Sequence, residues 1–327
     1  MLSKNQKRII VIIISFLVSS FIWYLNKSWG NDFRSLLISS ILTFLTVFVP
    51  FEIYFSFRDI WVDRWIPLYL ENIEIIKIKI NVDGGFLYAD LIKSKDKQAI
   101  KSRNALIVIS HGFSDTKETL QYYSFPLAYQ GYIILAYDSR GTGESKKTGR
   151  KSQFLKRIED FKKIIEWIKT KNEFLGMKIN CIGFSIGAIT TLCGGFSDKS
   201  INKIIVISSM SYYKQNIPKY NPLIMLRYFM KGVKLFPNKE ENNKLSPCFI
   251  INSAKKDLSE EEWKRFSRRV MLIHCKNDKV IKFKNFEENR IILESPEKNL
   301  LILKKGGHSQ KKNECSLIGA TLSFLNS

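Results

Sequence analysis

Residues 179–187 read Ile179-Asn180-Cys181-Ile182-Gly183-Phe184-Ser185-Ile186-Gly187, an apolar stretch that runs into a G-x-S-x-G pentapeptide and straight on into a helix-like run. A serine on a sharp strand-to-helix turn is lifted clear of the backbone, and only small neighbours let the chain fold that tightly. Gly183 and Gly187 meet that need. A helix starting at Ile186 also aims backbone N–H groups at the serine, where negative charge on an oxygen would be stabilised. The same five residues are also what a strand ended by glycines looks like, so the rest of the chain has to decide.

A serine hydroxyl is a weak nucleophile without an adjacent base, and the chain offers three histidines, His111, His274 and His308. His111 ends the apolar run 105–110 and precedes Gly112-Phe113, and His274 ends the run 270–273. Either is equally a polar residue where a strand leaves a sheet. His308 follows the run 300–303 and the pair Gly306-Gly307, and lies C-terminal to the serine. An imidazole that acts as a base needs a carboxylate to fix its tautomer. Asp278, four residues past His274, stands beyond a strand end and between Ser185 and His308, although beside Asn277 and Lys279 it also reads as a solvated turn. Asp257 is the rival, in a charged stretch with no strand before it.

Short apolar runs rich in β-branched residues recur at 73–80, 85–92, 105–110, 132–138, 179–182, 201–208, 270–273 and 299–303. Helical patterns separate them. Residues 154–169 place Leu155, Ile158, Phe161, Ile164, Ile165 and Ile168 on one face of a helix with a basic outer face. Continuous apolar strands alternating with helices predict a mostly parallel sheet covered on both faces. About 255 residues from Ile73 onward are enough for one large domain of this kind. The segment 211–269 breaks the rhythm, with Tyr212-Tyr213, an apolar and basic stretch 222–236 and a helix-like end at 259–268, and insertions of this length in a compact domain are usually functional.

The N-terminus is different in kind. Residues 9–25 and 35–57 are two apolar stretches, each near the roughly 20 residues that span a bilayer. No small-residue cleavage site follows the first, and Tyr24, Asn26 and Trp29 resemble interface anchors. The expectation is a transmembrane hairpin over 1–57, a linker over 58–72 and a domain over 73–327. Lys4, Lys7 and Arg8 precede the first span and Arg58 and Arg64 follow the second, so the positive-inside bias places both termini and the domain in the cytoplasm of a cell-membrane protein.

The chain carries a net charge of +22, of which only three come from the first 70 residues. A domain so basic, held at a membrane, would attract anionic lipid headgroups. Nucleic acid is not expected as a partner, because the lysines are spread over helices and turns without a recognition motif. The five cysteines show no spacing suited to a metal and fit reduced thiols, so no metal or cofactor is expected.

Taken together, the ordered motifs resemble the α/β-hydrolase superfamily over about residues 73–327. His111-Gly112-Phe113 is similar to the oxyanion loop after the third strand, and Asp138-Ser139-Arg140-Gly141-Thr142-Gly143-Glu144-Ser145 to the segment after the fourth. GFSIGA at 183–188 is similar to the nucleophile elbow, HCKNDKVI at 274–281 to the acid loop, and GGHS at 306–309 to the histidine loop. The acid loop departs from many relatives, which have a glycine after its histidine. The resemblance implies Ser185 as nucleophile, Asp278 as acid, His308 as base and the backbone N–H groups of Phe113 and Ile186 as the oxyanion hole. It gives Asp138 and Arg140 a structural task. The implied fold is an eight-stranded, mostly parallel sheet with helices on both faces and a cap insertion over about 211–269. The implied activity is that of a serine hydrolase cleaving an ester, thioester or amide through an acyl-enzyme. The anchor and the Leu, Ile, Met and Phe content of the insertion favour a carboxylic ester, such as an acylglycerol or lysolipid. A peptidase, a thioesterase and a catalytically silent membrane scaffold are the alternatives, and an intact Ser, Asp and His set argues against the last.

Overall fold

In the computed structural model the chain divides into two units, Met1–Pro67 and Leu68–Ser327, and the structure describes residues 4–30, 32–61, 71–217, 222–230 and 232–327. The first unit is a helical hairpin of α1 (Lys4–Ser28) and α2 (Phe33–Trp61), with Gly30 in the turn at φ 78°. Within them, Arg8–Ser28 and Phe33–Phe55 are long and apolar enough to cross a membrane, with mean hydropathies of 2.2 and 2.1. The two helices are joined by polar contacts. Ser19 Oγ donates to the Ser40 carbonyl (2.7 Å), Asn26 Nδ2 to Ser39 Oγ (2.9 Å), and Arg8 pairs with Glu52 (3.1 Å). Of the expected linker, α2 takes residues up to Trp61, and 62–70 lie outside the described residues.

The second unit is built on β1 (Ile73–Val82), β2 (Gly85–Ser94), β3 (Ala105–Ser110), β4 (Ile133–Tyr137), β5 (Lys178–Phe184), β6 (Ile201–Ile207), β7 (Val270–Cys275) and β8 (Leu300–Leu303). They form one sheet in the order β1-β2-β4-β3-β5-β6-β7-β8. β1 pairs with β2 and β2 with β4 antiparallel, and every later pairing is parallel. The helices are α3 (Lys97–Arg103), α4 (Gln121–Tyr129), α5 (Phe154–Lys169), α6 (Ile186–Gly195), α7 (Pro222–Met230), α8 (Lys239–Leu245), α9 (Pro247–Asp257), α10 (Glu260–Arg268), α11 (Lys284–Leu293) and α12 (Glu314–Asn326).

Successive side chains of a strand point to opposite faces, and the two cores follow that alternation. Leu106 and Val108 of β3 pack with Phe161 of α5, Leu192 of α6 and Phe266 of α10, whereas Ile107 and Ile109 pack with Tyr123 of α4 and Phe324 of α12. Strands buried on both faces have no polar side, which is why they read as continuous apolar runs. A third cluster joins Phe154, Ile186 and Ile189 to Tyr213, Ile217, Val233 and Leu245 of the insertion. The later part of the insertion is placed differently: Ile251 and Ala254 of α9, with Trp263 and Phe266 of α10, belong to the core against the sheet. Among the described residues, those of the insertion that join the cluster around α6 are Tyr213, Ile217, Tyr228, Val233, Leu235, Leu245 and Ile250.

Candidate active site

Ser185 sits between β5 and α6 with φ 55° and ψ −115°, a left-handed conformation that a residue with a side chain adopts only when its surroundings enforce it. Its amide donates to the Ile207 carbonyl of β6 (2.8 Å), which fixes the turn to the sheet. The flanking glycines have no room for a side chain. A Cβ at Gly183 would lie 2.6 Å from Ala188 Cα, and one at Gly187 would run into the carbonyls of Ser110 and His111. The oxyanion-loop candidate lies against the serine, since a Cβ at Gly112 would sit 3.6 Å from Ser185 Cβ and 3.6 Å from the Phe184 carbonyl. Phe113 follows it, and Ile186 opens α6, where an amide has no acceptor within its own helix.

The fold brings three of the residues singled out in the sequence into one hydrogen-bonded row. Ser185 Oγ donates to His308 Nε2 (2.9 Å), and His308 Nδ1 donates to Asp278 Oδ2 (2.8 Å). They come from three strand ends: Ser185 follows β5, Asp278 follows β7 and His308 follows β8. The other oxygen of Asp278 accepts from the amides of Val280 (2.8 Å) and Ile281 (2.9 Å). Burial works against its charge, but the bond from His308 and these amides outweigh it and hold the carboxyl below the usual aspartate range. Asp278 therefore remains an acceptor for His308.

The other histidines have different surroundings. His111 is fully buried, and its Nε2 accepts from the Ser139 amide (2.9 Å), so the proton is on Nδ1, which donates to the Gly112 carbonyl (2.6 Å). Burial, and the charge of the fully buried Arg157, lower its pKa to about 3. His274 Nε2 donates to the Ile281 carbonyl (2.8 Å), 3.6 Å from Asp278 Oδ2, and burial keeps this imidazole neutral as well. Asp257 ends α9 in an exposed position.

Asp138 and Arg140 hold the turn after β4. Arg140 grips Asp160 of α5 with two bonds (2.7 and 2.5 Å), and Asp138 accepts from the amides of Lys117 (3.0 Å) and Glu144 (2.9 Å). Glu118, Asp138 and Glu144 draw their carboxylates within 4.8 Å of one another, a grouping that could hold a cation. It already holds one: the fully buried Lys117 Nζ donates to Glu118 (2.7 Å), Asp138 (3.0 Å) and Glu144. Burial opposes the ammonium, and these three bonds more than restore it, raising its pKa.

Two supports of the row were not anticipated from the sequence. Asn277 Oδ1 accepts from the Gly307 amide (2.8 Å), tying the acid loop to the histidine loop, and Gln310 Nε2 donates to Ser208 Oγ (2.8 Å) and to the His308 carbonyl. Neither carries a local signal, because each acts on a partner far off or on a backbone atom. A groove of about 700 Å³ lined by Asn243, Phe249 and Lys256 on α8 and α9 shares no residue with this row.

Comparison with known proteins agrees with this fold. Residues 101–258 match the family model described as serine aminopeptidase, S33. No curated protein matches the sequence. Among solved structures, an esterase of Pyrococcus furiosus aligns with a TM-score of 0.56 and 19% identity over 80% of this chain and 95% of its own. An acylaminoacyl peptidase of Pyrococcus horikoshii aligns at 0.58 and 17% over 79% of this chain and 42% of its own. The esterase domain of a Rhodothermus marinus protein aligns at 0.52 and 15%, covering 76% and 96%. Identities this low speak for the fold alone. With the strand order, the elbow conformation of Ser185 and the helix layers on both faces of the sheet, they show that this chain has the α/β-hydrolase fold.

Proposed function

We propose that the chain is a membrane-anchored serine hydrolase of carboxylic esters, with Ser185 as nucleophile, His308 as base and Asp278 as the acid that orients it. The observation that carries this reading is the row Ser185 Oγ, His308, Asp278 at 2.9 and 2.8 Å, with the serine on a strained turn. His308 Nε2 takes the proton of Ser185 as Oγ attacks the ester carbonyl carbon, and the imidazolium is stabilised by Asp278. The oxyanion is held by the amides of Phe113 and Ile186. His308 then returns the proton to the leaving alcohol, and a water deprotonated by His308 releases the acid from the acyl-enzyme.

The anchor is supported by two stretches of spanning length whose large apolar side chains, among them Phe16, Phe21, Phe33 and Leu42, are exposed. An ester of an acylglycerol or lysolipid suits a site held at a bilayer. The positive-inside bias places the domain on the cytoplasmic side.

Labelling with a fluorophosphonate tests the assignment: the full chain in detergent should be modified at Ser185, and Ser185→Ala should lose both labelling and ester turnover, the latter by on the order of 10⁶. Robust turnover by the alanine variant would end the acyl-enzyme reading. A peptidase on the same residues is the second reading, favoured by the serine aminopeptidase match over 101–258. Faster cleavage of aminoacyl anilides than of acyl esters of graded length would select it.

A further inference from the structure

Among the described residues, the insertion presents an exposed apolar face. On α7, Met225 and Tyr228 turn inward, Tyr228 against the cluster around α6, while Leu226 (55% exposed), Phe229 (69%) and Met230 (77%) share the outer face at the spacing of one helical stripe. Phe236, 74% exposed, extends the same segment. A soluble surface seldom leaves so many large apolar side chains bare in one short element.

Beside this face lies a basic loop. Residues 146–151 read Lys146-Lys147-Thr148-Gly149-Arg150-Lys151, and none of the four basic side chains has an acidic partner among the described residues. The two features are continuous. A Cβ at Gly232, which follows α7, would lie 3.1 Å from Ser152 Oγ, and Lys151 Nζ stands 5.0 Å from the ring centroid of Phe113 in the oxyanion loop. Apolar side chains near lysines and an arginine that have no acidic partner among the described residues, with Lys151 over the Phe113 ring, form a surface suited to the headgroup boundary of an anionic bilayer. There the apolar groups enter the acyl region and the cations meet lipid charge.

We propose that α7, residue Phe236 and the 146–151 loop form a docking face that sits on an anionic lipid surface and sets the mouth of the Ser185 site against it. This rests on the membrane-anchored reading and deepens it: the hairpin tethers the chain, whereas this face orients the site toward lipid-borne substrate.

The test uses the full chain in vesicles of phosphatidylcholine with about a third phosphatidylglycerol. Cys315 is the exposed one of the five cysteines, so Cys315→Ser gives a background in which Phe229→Cys takes an environment-sensitive fluorophore. Leu175→Cys is the control, 80% exposed in the turn before β5 and thus at the opposite end of that strand from Ser185. A nitroxide carried on the lipid chains should quench the probe at 229 and spare the one at 175. Lys147→Glu with Arg150→Glu should weaken that quenching, as should vesicles of phosphatidylcholine alone. The same pair should slow hydrolysis of a long-chain ester held in the bilayer by at least about tenfold, while turnover of a short soluble ester stays within about twofold. Equal quenching at 229 and 175 overturns the proposal, as does crosslinking between two copies through residue 229 that removes the quenching. Absent fluorophosphonate labelling sinks the hydrolase reading without touching the quenching result, and release of the chain from vesicles by salt alone sinks the anchor.

Discussion

Asp278 divides its two oxygens between two tasks: one is locked by the amides of Val280 and Ile281, the other receives His308. An amide in its place can keep the fold while presenting the wrong group to the imidazole. Asp278→Asn should therefore lower ester turnover by roughly 10⁴ with little change in thermal midpoint, and Asp257→Asn should leave turnover near that of the unaltered chain. The reverse pattern would move the acid to Asp257. His111 makes a separate prediction about pH. Its folded pKa of about 3 lies below the ordinary imidazole value, so its contribution to stability is complete above about pH 6.5. That contribution drains away as pH falls toward about 3, at about 1.4 kcal/mol per pH unit. Thermal midpoints from pH 7.5 to 5 should fall less steeply for His111→Gln than for the native chain, and parallel slopes would remove the buried imidazole as the cause.

At the scale of elements, the elbow and α12 give opposite expectations for the same substitution. Gly183→Ala must displace the backbone of Ala188, and an overpacked site of this kind costs about 1–3 kcal/mol or prevents folding. Gly319→Ala meets nothing within 4 Å in the middle of α12 and should stabilise by about 0.5–1 kcal/mol, because alanine has the higher helix propensity. Midpoint shifts of the two variants measured side by side check both. The contrast also explains what could be read beforehand. The five motifs were legible because each turn restricts which residues fit it: Gly183 and Gly187 by contact, Gly306 and Gly307 by φ of 133° and 64°. The strands were legible because burial on both faces leaves them no polar positions. Lys117, Asn277 and Gln310 were not, since each acts on a partner that only the folded sheet brings near. The place of α9 and α10 in the main layer escaped for a related reason, as an amphipathic helix shows which face is apolar but not what that face meets.

For the molecule as a whole, an inserted hairpin and a peripheral basic domain predict different washing behaviour. The full chain should remain with membranes through 1 M salt, at which surface charges are screened over about 3 Å, and through alkaline wash. Recovery of the chain in the salt supernatant would exclude spanning helices. Topology is checked by an impermeant thiol reagent on intact cells: Trp29→Cys should be labelled and the native Cys315, exposed on α12, should be spared. Labelling of Cys315 from outside would put the domain on the other side of the membrane. The strand order also bears on synthesis. Ser185 follows the fifth of eight strands, whereas His308, its proposed base, follows β8, the last strand and the outer edge of the sheet. On the proposed assignment, a nascent chain would carry an inert serine until residue 308 has left the ribosome and β8 has docked on β7, so a message cut short upstream would yield no stray hydrolase.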